Sequence, residues 1–314
     1  MTGTTLTPLR TTSAPRTGPV RAVLRLHRTS FWIWTAYVVT TAAVLLWMLG
    51  PGGTGALREI TDCARSKSCG SHPAVSAYKD GLLAAKWLIL APSYLLPAYA
   101  GAALVGRELE TGTAQLAWTQ NVSPARWLAT KLAVAAGLIV FGMTVLVVLF
   151  RMVRDARFGT GIWSLYDHFV YHDAGLLAVA YPLLGLALGA LAGIALRQAV
   201  PALAAATAAI AVLSYVYSLV RFELWPSVTV TTTSDTFPGG MALSTQVITG
   251  DGTRLPYEAF TNRFSSHPGS GTFVHEYQPY SHFWPLQLVE TGTLLALATL
   301  ATLAAFHLLR RRTP

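Results

Sequence analysis

Residues 106–126 read GRELETGTAQLAWTQNVSPAR. The stretch holds two glutamates, two arginines and a central Gly-Thr, and it lies between two long apolar runs, 84–105 and 127–150. A charged, broken helix placed there is the connector between two membrane segments, and the rest of the chain supports that reading. The chain has 314 residues, 53% hydrophobic and 12% charged, with a mean hydropathy of +0.45. Soluble domains carry about 25% charged residues, so the missing charge makes lipid the main solvent. The runs 31–49, 84–105, 127–150, 174–196, 199–220 and 283–309 are each long enough to cross a hydrocarbon core of ~30 Å, which needs roughly 20 apolar helical residues. None alternates as a barrel strand does. The expected fold is an all-α polytopic membrane protein of six transmembrane helices, with a small extracytoplasmic element before the last.

Charge sets the orientation. Segments 1–30, 106–131, 197–198 and 310–314 hold twelve of the 23 Lys and Arg, and their only acids are Glu108 and Glu110. Basic flanks stay cytoplasmic, so both termini are expected in the cytoplasm and the chain in a bacterial plasma membrane. The net charge of +9 is then a topology signal, and no nucleic-acid partner follows from it. Residues 1–30 form a basic cytoplasmic tail in which 20–28 suits a short interfacial amphipathic helix. Residues 31–220 carry the first five crossings, 221–282 an outer loop or subdomain, and 283–314 the last crossing with a basic end. Arg151, Arg154 and Arg157 do not fit, because this division places them just beyond the third helix on the outer side.

The first outer loop, 50–83, opens with GPGGTG, a turn-rich exit. It contains Cys63 and Cys69, which an oxidising compartment permits to form a disulfide; two free thiols are the alternative. The second helix carries Pro92 and Pro97, each removing a backbone donor. Gly185, Gly189 and Gly193 put small residues on one stripe of the fourth helix, a packing seam either between subunits or within the chain. In the large loop, SVTVTTT at 227–233 is a strand signal, and LSTQVITGDGTRLPYEAF at 243–260 suits a hairpin around Gly250–Gly252.

Enzyme motifs are scarce. The chain has no GxxxxGK[ST] loop, GxSxG elbow or HExxH, so it carries no catalytic residue by motif and binds no nucleotide through a P-loop. His168 and His172 stand four apart in YDHFVYHD, a weak metal-ligand spacing on a helix. They could combine with His275 and Glu290 in a membrane-embedded metalloenzyme, and a membrane sensor or scaffold is a further alternative. Glu290 and Gln287 lie inside the last apolar run. An intramembrane carboxylate faces a bundle interior or a watery cavity, so the pair are candidates for a transport pathway or gate, or for a structural hydrogen bond.

The segment 106–131 resembles the coupling helix of ABC-2-type transporter permeases. The family pattern, E-x-E-x-G-T with a hydrophobic stretch, a Ser/Arg turn and a lysine opening the next helix, is met by Glu108, Glu110, Gly112, Thr113, Leu116, Ser123, Arg126 and Lys131. The wording of 112–131 looks most like permeases of high-GC actinobacteria, and YQPYSHFWPLQLVETG at 277–292 resembles the entry to their last helix. The usual Pro-Val-Ser turn is replaced here by Asn121-Val122-Ser123-Pro124, and the loop 221–282 is longer than in well-known exporters. The resemblance implies a permease subunit, an exporter that dimerises with itself or a sister permease. ATP and Mg would be bound by a separate ABC ATPase subunit, and no cofactor by this chain. It makes 107–120 the coupling helix, with Arg107, Glu108, Glu110, Gly112, Thr113, Leu116 and Trp118 in ATPase coupling. There the glutamates would present negative charge to a basic cleft, Gly112 would permit a bend, and Trp118 would anchor at the interface.

Overall fold

The computed structural model describes residues 28–65, 72–119, 122–157, 166–233, 239–263 and 271–312. Residues 20–27 of the proposed amphipathic helix and Cys69 lie outside the described residues, as does most of the basic tail. Helix α1 spans Arg28–Trp47, a π-helical turn spans Met48–Gly52, and α2 spans Gly53–Arg65. Helix α3 runs Pro73–Tyr99 and continues through a second π-helical segment, Ala100–Gly106. Two short helices follow, α4 (Arg107–Glu110) and α5 (Thr113–Thr119), then α6 (Pro124–Arg157), α7 (His168–Asp173), α8 (Leu177–Leu196) and α9 (Ala199–Val220). Strands β1 (Val228–Thr232), β2 (Met241–Ile248) and β3 (Arg254–Pro256), helix α10 (Tyr257–Arg263) and strand β4 (Thr272–Gln278) precede the last helix, α11 (Phe283–Arg312). Among the described residues, six helices are long and apolar enough to cross a membrane: α1, α3, α6, α8, α9 and α11.

Helix α8 is the centre of the bundle. Thirteen of its twenty residues are buried, and it touches α3, α6, α9 and α11. It is rich in alanine, leucine and glycine and holds no charge, so it can be surrounded by other helices at no cost in ion desolvation. The glycine stripe explains how closely they approach. A Cβ on Gly185 would sit 2.7 Å from Pro97 Cγ, and one on Gly193 3.0 Å from Val105 Cβ. Gly189 is buried on the same helix. Gly185 and Gly193 thus pack against the second crossing of the same chain.

Pro92 supplies no amide to Leu88 O, the carbonyl one turn earlier, and the Tyr37 hydroxyl of α1 donates to it instead. A neighbouring helix thus satisfies the group that the proline frees. Helices α8 and α9 join through Arg197 (φ 53°) and the extended Gln198, a connection short enough to force an antiparallel pair. Arg312, in the last turn of α11, donates to Ile194 O and Ala195 O, both at 2.8 Å. It thereby satisfies carbonyls that the end of α8 leaves open.

Three boundaries differ from the sequence reading. Residues 50–83 are not a loop: α2 fills 53–65 and α3 begins at Pro73. Proline is favourable at a first helical turn, and α3 extends well before its apolar run begins. At the other end of the third crossing, α6 continues to Arg157. Arg151 and Arg154 are therefore helical: Arg151 stacks 4.6 Å from the Trp284 ring centre and Arg154 pairs with Asp155. Helicity needs no lipid, so polar turns extend a membrane helix past its apolar run. The coupling helix expected at 107–120 is two helices, α4 and α5.

The four strands form an antiparallel sheet in the order β1-β4-β2-β3. The β2–β3 turn closes around Asp251, whose carboxylate accepts from the Thr249 hydroxyl and the Thr253 amide. Those bonds, the Thr249 one foremost, hold the Asp251 carboxyl below its ordinary pKa. The second arm of the hairpin is only three residues long, because Pro256 cannot donate to a ladder and α10 starts directly after it.

Candidate coupling elbow and buried polar core

Helices α4 and α5 form an elbow at one end of the bundle. Gly112 at its bend has φ +73°, a conformation with a steric penalty for residues carrying a Cβ. Thr111 ends α4 by donating its hydroxyl to Arg107 O at 2.8 Å. The elbow is tied to the membrane helices at three places. Glu108 pairs with Lys131 of α6 at 2.5 Å, and the same ammonium donates to Leu104 O at 2.9 Å. Lys131 is 2% exposed and lies 4.8 Å from the Trp127 ring centre. Glu110 Oε2 accepts the Ala199 amide at 2.9 Å, so its carboxylate caps the start of α9, where orphan amides and the helix dipole favour an anion. Behind the elbow, Gly193 of α8 packs against Val105 and Gly106.

Both glutamates are therefore engaged inside the chain: Glu108 is half-buried, and Glu110 remains exposed while it caps α9. The buried lysine at the start of α6 holds Glu108, and the first amide of α9 holds Glu110. Arg107 is exposed and is not paired with Glu110. The exposed residues of the elbow include Arg107, Glu110, Thr113, Gln115 and Leu116, with Leu116 64% exposed. Trp118 is half-buried, packed edge-on against Trp127 at 5.9 Å. It braces α5 against α6.

The opposite end of the bundle holds a buried polar core. Glu290, 0% exposed, receives Arg221 Nε at 3.0 Å on Oε2. Arg221 Nη2 at 3.2 Å and the Tyr181 hydroxyl at 3.0 Å reach its Oε1. The Arg221 guanidinium also lies 4.5 Å from the Tyr171 ring centre. Gln287 donates to Tyr171 O at 2.5 Å and fills the space beside Gly175. Glu290 and Gln287 thus join α11 to α7, α8 and the end of α9. This geometry is that of a hydrogen-bond and ion-pair centre.

His172 is buried, with Nδ1 2.8 Å from Asp173 Oδ1 and Nε2 3.5 Å from Ser93 Oγ. Asp173 is fully buried and its Oδ2 has no hydrogen-bond partner among the described residues. Burial raises the Asp173 carboxyl well above its ordinary pKa, Lys86 opposes the rise, and Asp167 adds to it. Lys86 itself pairs with Asp167 at 3.1 Å. His168 opens α7, whose N-cap is Asp167. His275 lies on β4 with its Nδ1 3.2 Å from Thr245 Oγ1, away from α7 and α11 in the fold. Among the described residues, no three His, Cys, Asp or Glu side chains are placed to hold a metal ion. Cys63 is disulfide-bonded.

Sequence reasoning missed Arg221 and Tyr181 as partners of Glu290. The signal was present: a carboxylate inside a membrane requires a base at its own depth, and Arg221 ends the apolar run 199–220.

These features define a multi-pass membrane protein, with six apolar helices among the described residues and a charged elbow between the second and third. A family model described as ABC-2 membrane transporter related matches residues 35–221, more than half of the chain. The chain belongs to that family. No curated protein and no solved structure gives a match.

Proposed function

We propose that the chain is the permease subunit of an exporter driven by a separate ABC ATPase, working as a dimer with itself or a sister permease. The observation that carries this is the elbow: a bent pair of helices pinned by Glu108–Lys131 to α6 and by Glu110 to the first amide of α9. Coupling two remote events needs a rigid element that contacts both. Leu116 and its exposed neighbours contact the ATPase, and the two glutamates carry the push to α6 and α9. ATP and Mg belong to the partner, since this sequence has no P-loop.

The elbow end faces the cytoplasm, in line with the basic segments around it. The disulfide at Cys63, in the connection after α1 at the other end, supports placing that end in an oxidising compartment. The sheet of 228–278 then lies outside a bacterial plasma membrane.

The test separates docking from coupling. The tagged chain is purified from its native host and the co-purifying P-loop ATPase is quantified by mass spectrometry. Leu116→Asp is expected to remove it, while Glu108→Gln retains it but loses transport-linked stimulation of ATP hydrolysis. ATPase recovery unchanged by Leu116→Asp would sink the docking assignment.

A further inference from the structure

His172, Asp173, Lys86 and Asp167 come together where α7 packs against α3. Asp173 is fully buried and His172 nearly so. The His172 ring bridges Asp173 and Ser93: Nδ1 lies 2.8 Å from Asp173 Oδ1 and Nε2 3.5 Å from Ser93 Oγ. Ser93 sits between Pro92 and Pro97 of α3 and is 1% exposed. Serine, histidine and aspartate in that order are the groups of a hydrolase triad, but a serine oxygen buried to this degree is closed to a substrate carbonyl. What distinguishes the cluster is its charge.

Lys86 and Asp167 pair with each other at 3.1 Å and cancel. Arg221 and Glu290, which lie beyond Tyr181, cancel in the same way. The Tyr181 ring centre stands 5.4 Å from that of His172, and Tyr37 of α1 also faces Asp173. Phenols ionise near 10, so both tyrosines are neutral at physiological pH. A neutral imidazole beside an ionised Asp173 would then leave an uncompensated carboxylate in the interior. Its Oδ2 has no hydrogen-bond partner among the described residues. An isolated buried carboxylate is so costly that it takes up a proton instead. One added proton removes the net charge, whether it rests on Asp173 as an acid or on His172 opposite a carboxylate. The two groups share it and titrate as a unit.

We infer that the His172–Asp173 pair is a proton-binding site, which holds one dissociable proton at neutral pH and in that state ties α7 to Ser93 of α3. Lys86 and Asp167 set its affinity from opposite sides, the ammonium favouring release and the carboxylate retention. Asp167 is partly exposed, which brings water to that side of the cluster. Helix α3 continues from Ser93 into the π-helical segment and the elbow, so loss of the proton acts on the helix that carries the elbow. That consequence rests on the proposed function; the site itself does not.

The full-length chain in detergent micelles, without any ATPase, is titrated potentiometrically beside Asp173→Asn. The window runs from about 6.5, where an ordinary imidazole releases its proton, to about 10.4, where lysines do. The wild type is expected to release one proton more than the variant in that window. Equal release overturns the proposal. Two further variants decide the matter if Asp173→Asn does not fold. Lys86→Met removes the opposing cation and should move the release to higher pH. Asp167→Asn keeps a residue able to cap α7 and turns the Lys86 charge onto Asp173, so the release should move to lower pH. A release that neither variant moves belongs to other groups and also overturns the proposal. Either failure would leave the ATPase-docking assignment standing.

Discussion

Replacing Arg221 by methionine tests the buried polar core where its energy is greatest. The guanidinium is 4% exposed and makes two bonds to a carboxylate that is 0% exposed. Removing one partner of such a pair leaves an uncompensated buried charge, a cost of about 3–5 kcal/mol. Glu290→Leu strands the guanidinium and is expected to cost a similar amount. The double variant strands no charge. Apolar replacement of a whole buried pair is often close to neutral, and what remains is the Tyr181 hydroxyl without its acceptor and the lost contact of Arg221 with the Tyr171 ring, together ~1–3 kcal/mol. The double-mutant cycle should therefore give a coupling energy of about 3 kcal/mol or more. The assay is reversible denaturation in mixed micelles, followed by tryptophan fluorescence, for the four proteins. Single variants costing under ~1 kcal/mol, or strictly additive effects, would refute the view that this pair is the bundle's polar anchor.

Two further outcomes concern packing and protonation. Gly185→Ala places a methyl 2.7 Å from the ring of Pro97, and overpacking of this kind costs about 1–3 kcal/mol. Gly137→Ala, with nothing within 4 Å of the new methyl, should leave stability unchanged or raise it, and thermal denaturation of the two variants separates them. Asp173 gives a pH signature. Its carboxyl titrates above its ordinary value in the fold and near 3.9 in an unfolded chain. The folded state thus holds the extra proton between those values, and stability falls as pH rises through that window. The groups around it are His172, Lys86, Asp167 and Tyr37. Asp173→Asn removes this contribution, so its melting temperature should fall less than the wild type's above pH 4. Parallel profiles for the two proteins would contradict the assignment.

The six crossings are legible because each needs a long, mostly apolar run, and the charges inside the six runs are only Lys86, Lys131 and Glu290. Their ends are not. Lys79 and Asp80 interrupt the apolar pattern within α3, and Arg151, Arg154 and Arg157 do the same in α6, yet backbone hydrogen bonding continues through both. Hydropathy records where the lipid stops, and the helix stops elsewhere. The bend at Gly112 follows from residue type, since a glycine followed by threonine in a charged segment breaks a helix. The directions of Glu108 and Glu110 do not follow, because Lys131 and Ala199 reach them from later helices. Which partner Gly185 and Gly193 would find was equally hidden: a small-residue stripe fixes that something approaches closely, and only the fold shows Pro97 and Val105 there. Glu290 was legible as a costly residue, but its role depended on Arg221, a base that sequence alone did not bring alongside.

The central claim is that the elbow meets an ATPase in the cytoplasm. A photoreactive amino acid placed at position 116, on the outward face of α5, should crosslink in cells to a protein carrying a P-loop. The same group at position 231, in β1 at the other end of the bundle, should not. A crosslink to that protein from position 231 alone would contradict both the orientation and the coupling role of the elbow, and none from either position would contradict the coupling role.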